Sequence, residues 1–114
     1  GYRVEFGGRV VCYVTDTEHH PGQPDENILG LIENADLVIY DSTYSDDEFA
    51  AYEGWGHSTC QEGVRLAQMA GVKKLAIFHH DPGRSDDVLD AIGEEAASLF
   101  GGAFIAREGT TLSP

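Results

Sequence analysis

Short apolar runs alternate with amphipathic stretches along most of the chain. Three of the runs are apolar on both faces and end on polar residues, which is typical of strands inside a sheet. They read VVCYVTD, LVIYD and KKLAIFHHDP. Tyr2, Val4 and Phe6 alternate with charged residues and predict a strand buried on one face, joined to the next by a hairpin at Gly7-Gly8. A last short strand is predicted at 103–106.

Three helices are predicted between these strands. Asp25 is a suitable N-cap for a helix over 26–33, and Ser58 with Gln61 fits a capping box for a helix that ends near Ala70. Ser85 is expected to cap the third helix. Its predicted buried residues share one face: Val88, Leu89, Ile92, Ala96 and Leu99. The order ββαβαβαβ predicts an α/β protein with a layered sheet.

Length and charge limit the classes of function. With 114 residues, the chain is one domain at most. Lys and Arg number 7 against 20 Asp and Glu, a formal charge of −13, so duplex DNA is not expected as a partner. No apolar stretch is long enough to span a bilayer. Cys12 and Cys60 are expected to be buried and reduced, which favours a cytoplasmic protein.

Polar side chains at the ends of the buried strands are the candidates for chemistry. Asp16, Asp41 and His79 each follow or end such a run, and ligands of α/β sheets bind at the carboxyl ends of the strands. Imidazole and carboxylate together suit Zn, Mn or Fe. Only one of His79 and His80 can face Asp16, because successive strand residues point to opposite faces. From spacing alone, a histidine at a strand end is more often a hydrogen-bonded boundary residue than a ligand.

Other polar and aromatic residues have two interpretations each. His57, in GWGHST, lies between a glycine and a helix start that favours anions, or only follows a turn. Asp81, before Pro82, either orients an imidazole or begins a turn, and the turn is favoured. Trp55 either walls a substrate pocket or packs its loop on the core. His19 and His20 lie in a loop with proline and glycine, and both are predicted to be exposed.

Four motifs in order, YVTDTE, LVIYDSTY, GWGHST and LAIFHHDP, resemble the metallo-β-lactamase-fold hydrolases. The resemblance is closest to the branch of ribonuclease Z and cyclic-nucleotide phosphodiesterases, and it covers about residues 1–99. It implies half of an αββα sandwich, in which residues 1–114 form the C-terminal half of the hydrolase domain.

The resemblance also implies roles for individual residues. Asp16 matches the aspartate that bridges two divalent metal ions, and His79 matches the last histidine ligand. His80, with Asp81 and Trp55, is then a candidate to support the ligands or to line the substrate pocket. His57 matches the histidine that protonates or stabilises the leaving oxygen, with Asp41 as the acid that holds its proton. The ions are expected to be Zn, with Mn or Fe as alternatives, and to activate water against a phosphodiester. Tyr40, where the family has histidine, and Asp41, where it has glutamate, are departures from the motif.

The HxHxDH motif of the family is absent from the chain, and so is a further histidine ligand. Even one catalytic zinc normally has three protein ligands, so Asp16 and His79 alone are expected to bind metal weakly and to be catalytically incompetent. The expected partners are the N-terminal half, in the same or a separate chain, a small anionic substrate and a second copy of the chain. An isolated fragment is expected to expose apolar surface.

The leading hypothesis is therefore part of a metal-dependent hydrolase that acts on a small or cyclic nucleotide phosphodiester rather than on tRNA. One alternative is a non-catalytic interaction or regulatory module that retains the fold. Another is a receiver-like domain with an acidic pocket at Asp16 and Asp41. It ranks last, because Lys73 and Lys74 stand at the beginning of their strand and not at its end.

Overall fold

A computed structural model describes all residues from 1 to 114. It contains five strands, β1 (Tyr2–Phe6), β2 (Arg9–Val14), β3 (Leu37–Asp41), β4 (Lys74–Phe78) and β5 (Ala103–Ile105). The helices are α1 (Glu26–Ile32), α2 (Asp46–Phe49), α3 (Cys60–Met69) and α4 (Asp86–Leu99). The order agrees with the sequence prediction, with α2 as a short addition between β3 and α3.

The strands form one mixed sheet in the order β1-β2-β3-β4-β5. β1 and β2 are an antiparallel hairpin turned by Gly7 and Gly8, both at positive φ, and the other pairs are parallel. Connections between parallel strands are right-handed. Since β2, β3, β4 and β5 follow one another in the sheet in chain order, the helices that connect them all lie on the same face. That face carries the buried core, which includes Cys12, Val38 and Leu75.

The opposite face of the sheet has no helix over it. Side chains on this face include Tyr13, Ile39 and Phe78, and the segment that follows β5 lies beside them through Ala106 and Leu112. Tyr13 is 37% exposed. The apolar runs of β2 and β3 predict that both faces of the sheet are buried. Within this chain, helices pack on only one of the two faces.

Three helix caps test the sequence prediction. Asp25 accepts hydrogen bonds from the backbone N–H groups of Asn27 and Ile28, and Ser85 accepts one from Val88, as predicted. The prediction of Ser58 as the cap of α3 is wrong. The N-cap is Thr59, whose hydroxyl accepts from the backbone N–H of Glu62.

The prediction for α4 is partly wrong. Ala96 is buried, and Leu89 and Ile92 are partly buried, but Val88 is 43% exposed and Leu99 54% exposed. The helix packs against β5, which has only three residues, and against α3. Its two ends therefore extend beyond the surface that covers its middle.

Both cysteines are free and buried, as predicted. Burial raises the pKa of the Cys60 thiol to about 11 and also raises that of Cys12. Neither thiol is therefore a good nucleophile at neutral pH. None of the helices is both long enough and apolar enough to cross a membrane.

Candidate metal site

Three predicted site residues converge at the carboxyl ends of the parallel strands. Asp16 follows β2, His79 follows β4 directly, and His57 precedes α3. One ligand atom from each lies within 4.8 Å of the other two. The imidazole rings of His57 and His79 stack with centroids 4.8 Å apart. The structure thus places a carboxylate and two imidazoles around one point.

Asp16 and His79 share an unusual backbone conformation. Asp16 has a φ of 51° and His79 a φ of 61°, in the left-handed region that non-glycine residues seldom adopt. Such conformations cost of order 1–3 kcal/mol and persist only where surrounding contacts hold them. Asp16 is the second residue after β2 and His79 the first after β4, and their ligand atoms meet that of His57.

Asp41 is the residue that connects these groups. Its side chain is fully buried at the end of β3. Oδ2 accepts hydrogen bonds from the backbone N–H of Asp16 and from Nδ1 of His57, both at 2.9 Å, and Oδ1 accepts one from the hydroxyl of Thr43 at 2.9 Å. An ionised carboxylate only accepts, so Nδ1 of His57 carries the hydrogen and the lone pair is on Nε2.

The loop between β3 and α3 is held by ion pairs. Asp46 pairs with Arg65, and Glu48 pairs with Arg84, whose Nη2 lies 2.5 Å from the carboxylate. Nη2 of Arg84 also donates to the carbonyl oxygen of Thr43 at 3.3 Å. These contacts fix the position of Thr43 beside Asp41 and His79.

His80 and Asp81 lie next to His79 but do not join the cluster. Nε2 of His80 lies 3.4 Å from the carbonyl oxygen of Ala106, and burial lowers the pKa of this imidazole. Oδ1 of Asp81 accepts from the backbone N–H of Gly83, so the turn that the sequence favours is present. Of the two adjacent histidines, His79 is the one that faces Asp16 and His57.

Trp55 is 67% exposed in the loop before His57. Its ring meets that of Tyr52 edge-on with centroids 5.7 Å apart, and Tyr52 stacks on Tyr44 at 4.3 Å. Oε1 of Glu18 accepts from the backbone N–H of Gly54 at 2.7 Å and lies 3.2 Å from that of Gly56. This loop is therefore tied to the segment that follows Asp16.

The prediction that His19 is exposed is wrong, while His20 is exposed as predicted. The ring of His19 is 5% exposed and stacks on Phe49 with centroids 4.3 Å apart. Its Nδ1 lies 2.8 Å from Oγ of Ser58, which lies 2.9 Å from the hydroxyl of Tyr40. Burial lowers the pKa of His19. The partners come from distant segments, so local sequence gives no signal of this contact.

The donor set of the cluster suits a divalent transition metal. Carboxylate oxygen and imidazole nitrogen are ligands of Zn, Mn and Fe, and two ligands of one zinc lie at most about 4 Å apart, given bonds of about 2 Å. The bound of 4.8 Å on the separations in this cluster is somewhat wider than that span, so the fit to these metals rests on the types of ligand atom. The residues therefore fit the metals that the fold family implies.

Residues 1–80 match the sequence profile of the family described as Beta-lactamase superfamily domain. The chain belongs to this family. Its similarity to ribonuclease Z of Gemmatimonas aurantiaca is 36% identity over 105 residues, 92% of this chain and 32% of that protein. Ribonuclease Z of Halobacterium salinarum is 34% identical over 91% of this chain and 32% of that protein. The chain thus spans about a third of the length of these relatives.

Solved structures agree with membership of the β-lactamase superfamily. The metallo-beta-lactamase fold protein YhfI from Bacillus subtilis aligns with a TM-score of 0.72 and 28% identity, over 95% of this chain and 41% of YhfI. Human tRNase Z, short form, aligns with a TM-score of 0.65 and 23% identity, over 93% of this chain and 34% of that protein, and supports the fold alone. The α/β fold expected from the motifs is confirmed.

Proposed function

We propose that this chain is part of a metal-dependent phosphodiester hydrolase. The observation that carries the proposal is the convergence of Asp16, His57 and His79 at one edge of the sheet, with their ligand atoms within 4.8 Å of one another. Membership of the β-lactamase superfamily and relatives named ribonuclease Z support the reaction type.

In this proposal Asp16 and His79 hold the metal. Asp16 would offer its carboxylate oxygens to the metal and His79 one ring nitrogen. Bound divalent ions, zinc in the first instance, supply charge neutralisation for phosphoryl oxygens and a more acidic water. The left-handed backbone at both positions directs the two side chains to the same point.

His57 and Asp41 handle the proton in this proposal. The buried carboxylate of Asp41 holds the hydrogen on Nδ1 of His57, so Nε2 is the nitrogen that can gain and release a further proton. A protonated His57 donates the hydrogen on Nε2 to the leaving oxygen, and the negative charge of Asp41 stabilises the imidazolium before the transfer. Proton transfer from a positioned group of this kind typically contributes 10²–10⁴-fold in rate.

We further propose that residues 1–114 are the C-terminal half of the hydrolase domain. The cluster offers three protein ligands at most, and a centre of two ions needs more. The other ligands then come from a region beyond these residues, in the same or a separate chain. Residues 1–114 alone are expected to bind metal weakly and not to turn over substrate.

Two substrate classes are considered for this site. The name ribonuclease Z, carried by the relatives cited above, favours an RNA phosphodiester. The charge of −13 favours a small or cyclic nucleotide, because a long polyanion is repelled by an acidic surface. The exposed face of Trp55 near His57 offers a stacking surface to a nucleobase of either substrate. The two free thiols favour a cytoplasmic location.

The test uses the full-length protein with bis(p-nitrophenyl) phosphate, a tRNA precursor with a 3′ trailer and a cyclic nucleotide. Metal-dependent hydrolysis of bis(p-nitrophenyl) phosphate that is lost in His79→Ala supports the proposed metal site. Whichever of the other two substrates is cleaved identifies the substrate class, and loss of that cleavage in His57→Ala supports the proposed proton donor, since their leaving oxygens need a proton. The matched control is His20→Ala, since His20 is exposed and outside the cluster. A protein that binds no metal and cleaves none of the three substrates contradicts the proposal and favours a non-catalytic module.

A further inference from the structure

Thr43 lies in the loop after β3, and its hydroxyl contacts three groups at once. Oγ1 lies 2.9 Å from Oδ1 of Asp41, 2.9 Å from the carbonyl oxygen of His79 and 2.9 Å from Nδ1 of the same histidine. The residue is 7% exposed, so water does not substitute freely for any of these contacts. Thr43 therefore holds both the ring and the main chain of His79.

The hydrogens at Thr43 can be counted. A hydroxyl has one hydrogen to donate and two lone pairs to accept with. The carboxylate of Asp41 and the carbonyl of His79 are acceptors only, so both compete for the one hydroxyl hydrogen. If Nδ1 of His79 also lacked a hydrogen, three acceptors would face a single donor, and two buried contacts would be repulsive.

We propose that Thr43 fixes His79 in the tautomer with hydrogen on Nδ1. In this tautomer Nδ1–H donates to Oγ1 of Thr43, and the hydroxyl hydrogen goes to Asp41 or to the His79 carbonyl. The lone pair of the imidazole is then on Nε2. The same tautomer follows for His57 from its contact with Asp41. In the neutral form of each of these two stacked rings, the lone pair is therefore on Nε2.

The contact to the His79 carbonyl adds a second effect. The backbone of His79 has a φ of 61°, so a hydrogen bond to its carbonyl stabilises a conformation that is otherwise unfavourable. The backbone N–H of Ser42 donates to the carbonyl of Phe78 at 2.8 Å, which extends the β3–β4 pairing up to this point. Thr43 is thereby placed directly beside the turn at His79.

Thr43 is a positioning residue, because it acts through His79. Its effect on metal binding rests on the proposed function, whereas its effect on the tautomer does not. Partners of this kind, which orient a histidine ligand, typically change metal affinity by 10–100-fold when they are lost. Thr43→Val has nearly the same shape and no hydroxyl. Thr43→Ser keeps the hydroxyl and serves as the matched control.

The experiment measures the tautomer of His79 by ¹⁵N NMR of the imidazole in metal-free, full-length protein at about pH 8. Loss of signals in His79→Asn assigns the resonances. We expect His79 to carry its hydrogen on Nδ1 in the wild type and in Thr43→Ser. In Thr43→Val we expect a mixture of the two His79 tautomers and a zinc affinity weaker by about 10–100-fold. A wild-type protein with hydrogen on Nε2 overturns the proposal, and so does an unchanged tautomer in Thr43→Val.

The two proposals fail in different ways. Absence of zinc binding in the wild type contradicts the proposed hydrolase and leaves the tautomer result valid. A protein that binds zinc but has His79 protonated on Nε2 when metal-free contradicts the role of Thr43 and not the hydrolase. If Thr43→Val does not fold, the wild-type tautomer alone decides the question.

Discussion

Nδ1 of His57 lies 2.9 Å from Oδ2 of Asp41, and the Asp41 side chain is completely buried. The same oxygen accepts the backbone N–H of Asp16, at 2.9 Å. One carboxylate therefore orients a proposed proton donor and fixes the main chain of a proposed metal ligand. Its burial keeps water from replacing either contact.

We expect Asp41→Asn to lower the rate of phosphodiester hydrolysis by about 10²–10⁴-fold, because the imidazolium of His57 loses its charged acceptor. Steady-state kinetics of the full-length protein check this. His57→Ala should have an effect of similar size, and the double variant should be little worse than either single variant, since the two residues act together.

The matched control for this pair is Asp87→Asn, which removes one exposed carboxylate in the first turn of α4 and should leave the rate unchanged. An Asp41→Asn protein within a few-fold of wild type would show that the His57–Asp41 contact has no part in proton transfer.

The buried His19 should make stability depend on pH. Burial lowers its pKa below the ordinary value near 6.5, so below that pH the unfolded chain takes up a proton that the folded chain resists. The free energy of unfolding should therefore fall as pH is lowered from about 7 through 6.5 and below. Urea unfolding at several pH values between about 7.5 and 5 measures how the free energy of unfolding depends on pH.

His19→Asn is the informative variant, because asparagine does not titrate and carries an amide that can hydrogen-bond in place of the His19 contact with Ser58. The slope should be smaller in this variant than in the wild type. Equal slopes in the two proteins would mean that His19 takes up its proton as readily in the folded state as in the unfolded chain.

Gly63 in α3 packs against the ring of Tyr40. A Cβ at this position would lie 2.7 Å from Cδ1 of Tyr40, a ring that is 1% exposed and cannot move freely. We expect Gly63→Ala to lower the free energy of unfolding by about 1–3 kcal/mol through overpacking. Gly30 in α1 has no atom within 4 Å of its added Cβ, so Gly30→Ala should stabilise by about 0.5–1 kcal/mol. Denaturant titration of both variants tests the expected opposite signs.

Strand β1 exposes a row of apolar side chains at the edge of the sheet. Tyr2, Val4 and Phe6 are 73%, 58% and 87% exposed and alternate along the strand, so they share one face. An edge strand of this kind promotes association between copies. Residues 1–114 produced alone should therefore elute from a sizing column as oligomers.

Phe6→Lys should shift that elution toward the monomer, because a charge on an edge strand opposes pairing. Val88→Lys, at an exposed position on α4, is the control and should leave the oligomers in place. A wild-type chain that is monomeric at high concentration would contradict the expectation.

Sequence alone predicts the framework of this site well, because its signals are local. The strand ends at Asp16, Asp41 and His79 follow from apolar runs, and Asp25 and Ser85 are recognised as caps from the helix patterns after them. These patterns depend on residues a few positions apart. Local physics therefore determines where each candidate side chain leaves the sheet.

The remaining features depend on contacts between distant segments. Ser58 and Thr59 are both suitable caps by spacing, and Thr59 is the cap in a structure where the Ser58 hydroxyl lies 2.8 Å from His19. The two contacts of Thr43 with His79 require β3 and β4 to be paired, so the sequence gives no indication of them beyond a hydroxyl residue after a strand. Burial of His19 likewise depends on Phe49, 30 positions away.

The proposal that Asp16 and His79 hold the metal is tested most directly by the zinc content and zinc affinity of the full-length protein, compared between the wild type and the variants Asp16→Ala and His79→Ala. Two histidine variants serve as controls. In His20→Ala the replaced residue is exposed and outside the cluster, and in His80→Ala the replaced ring faces the carbonyl oxygen of Ala106. We expect a large loss of zinc from Asp16→Ala and His79→Ala and unchanged zinc in the two controls. Full zinc loading and unchanged affinity in both Asp16→Ala and His79→Ala would contradict the proposal.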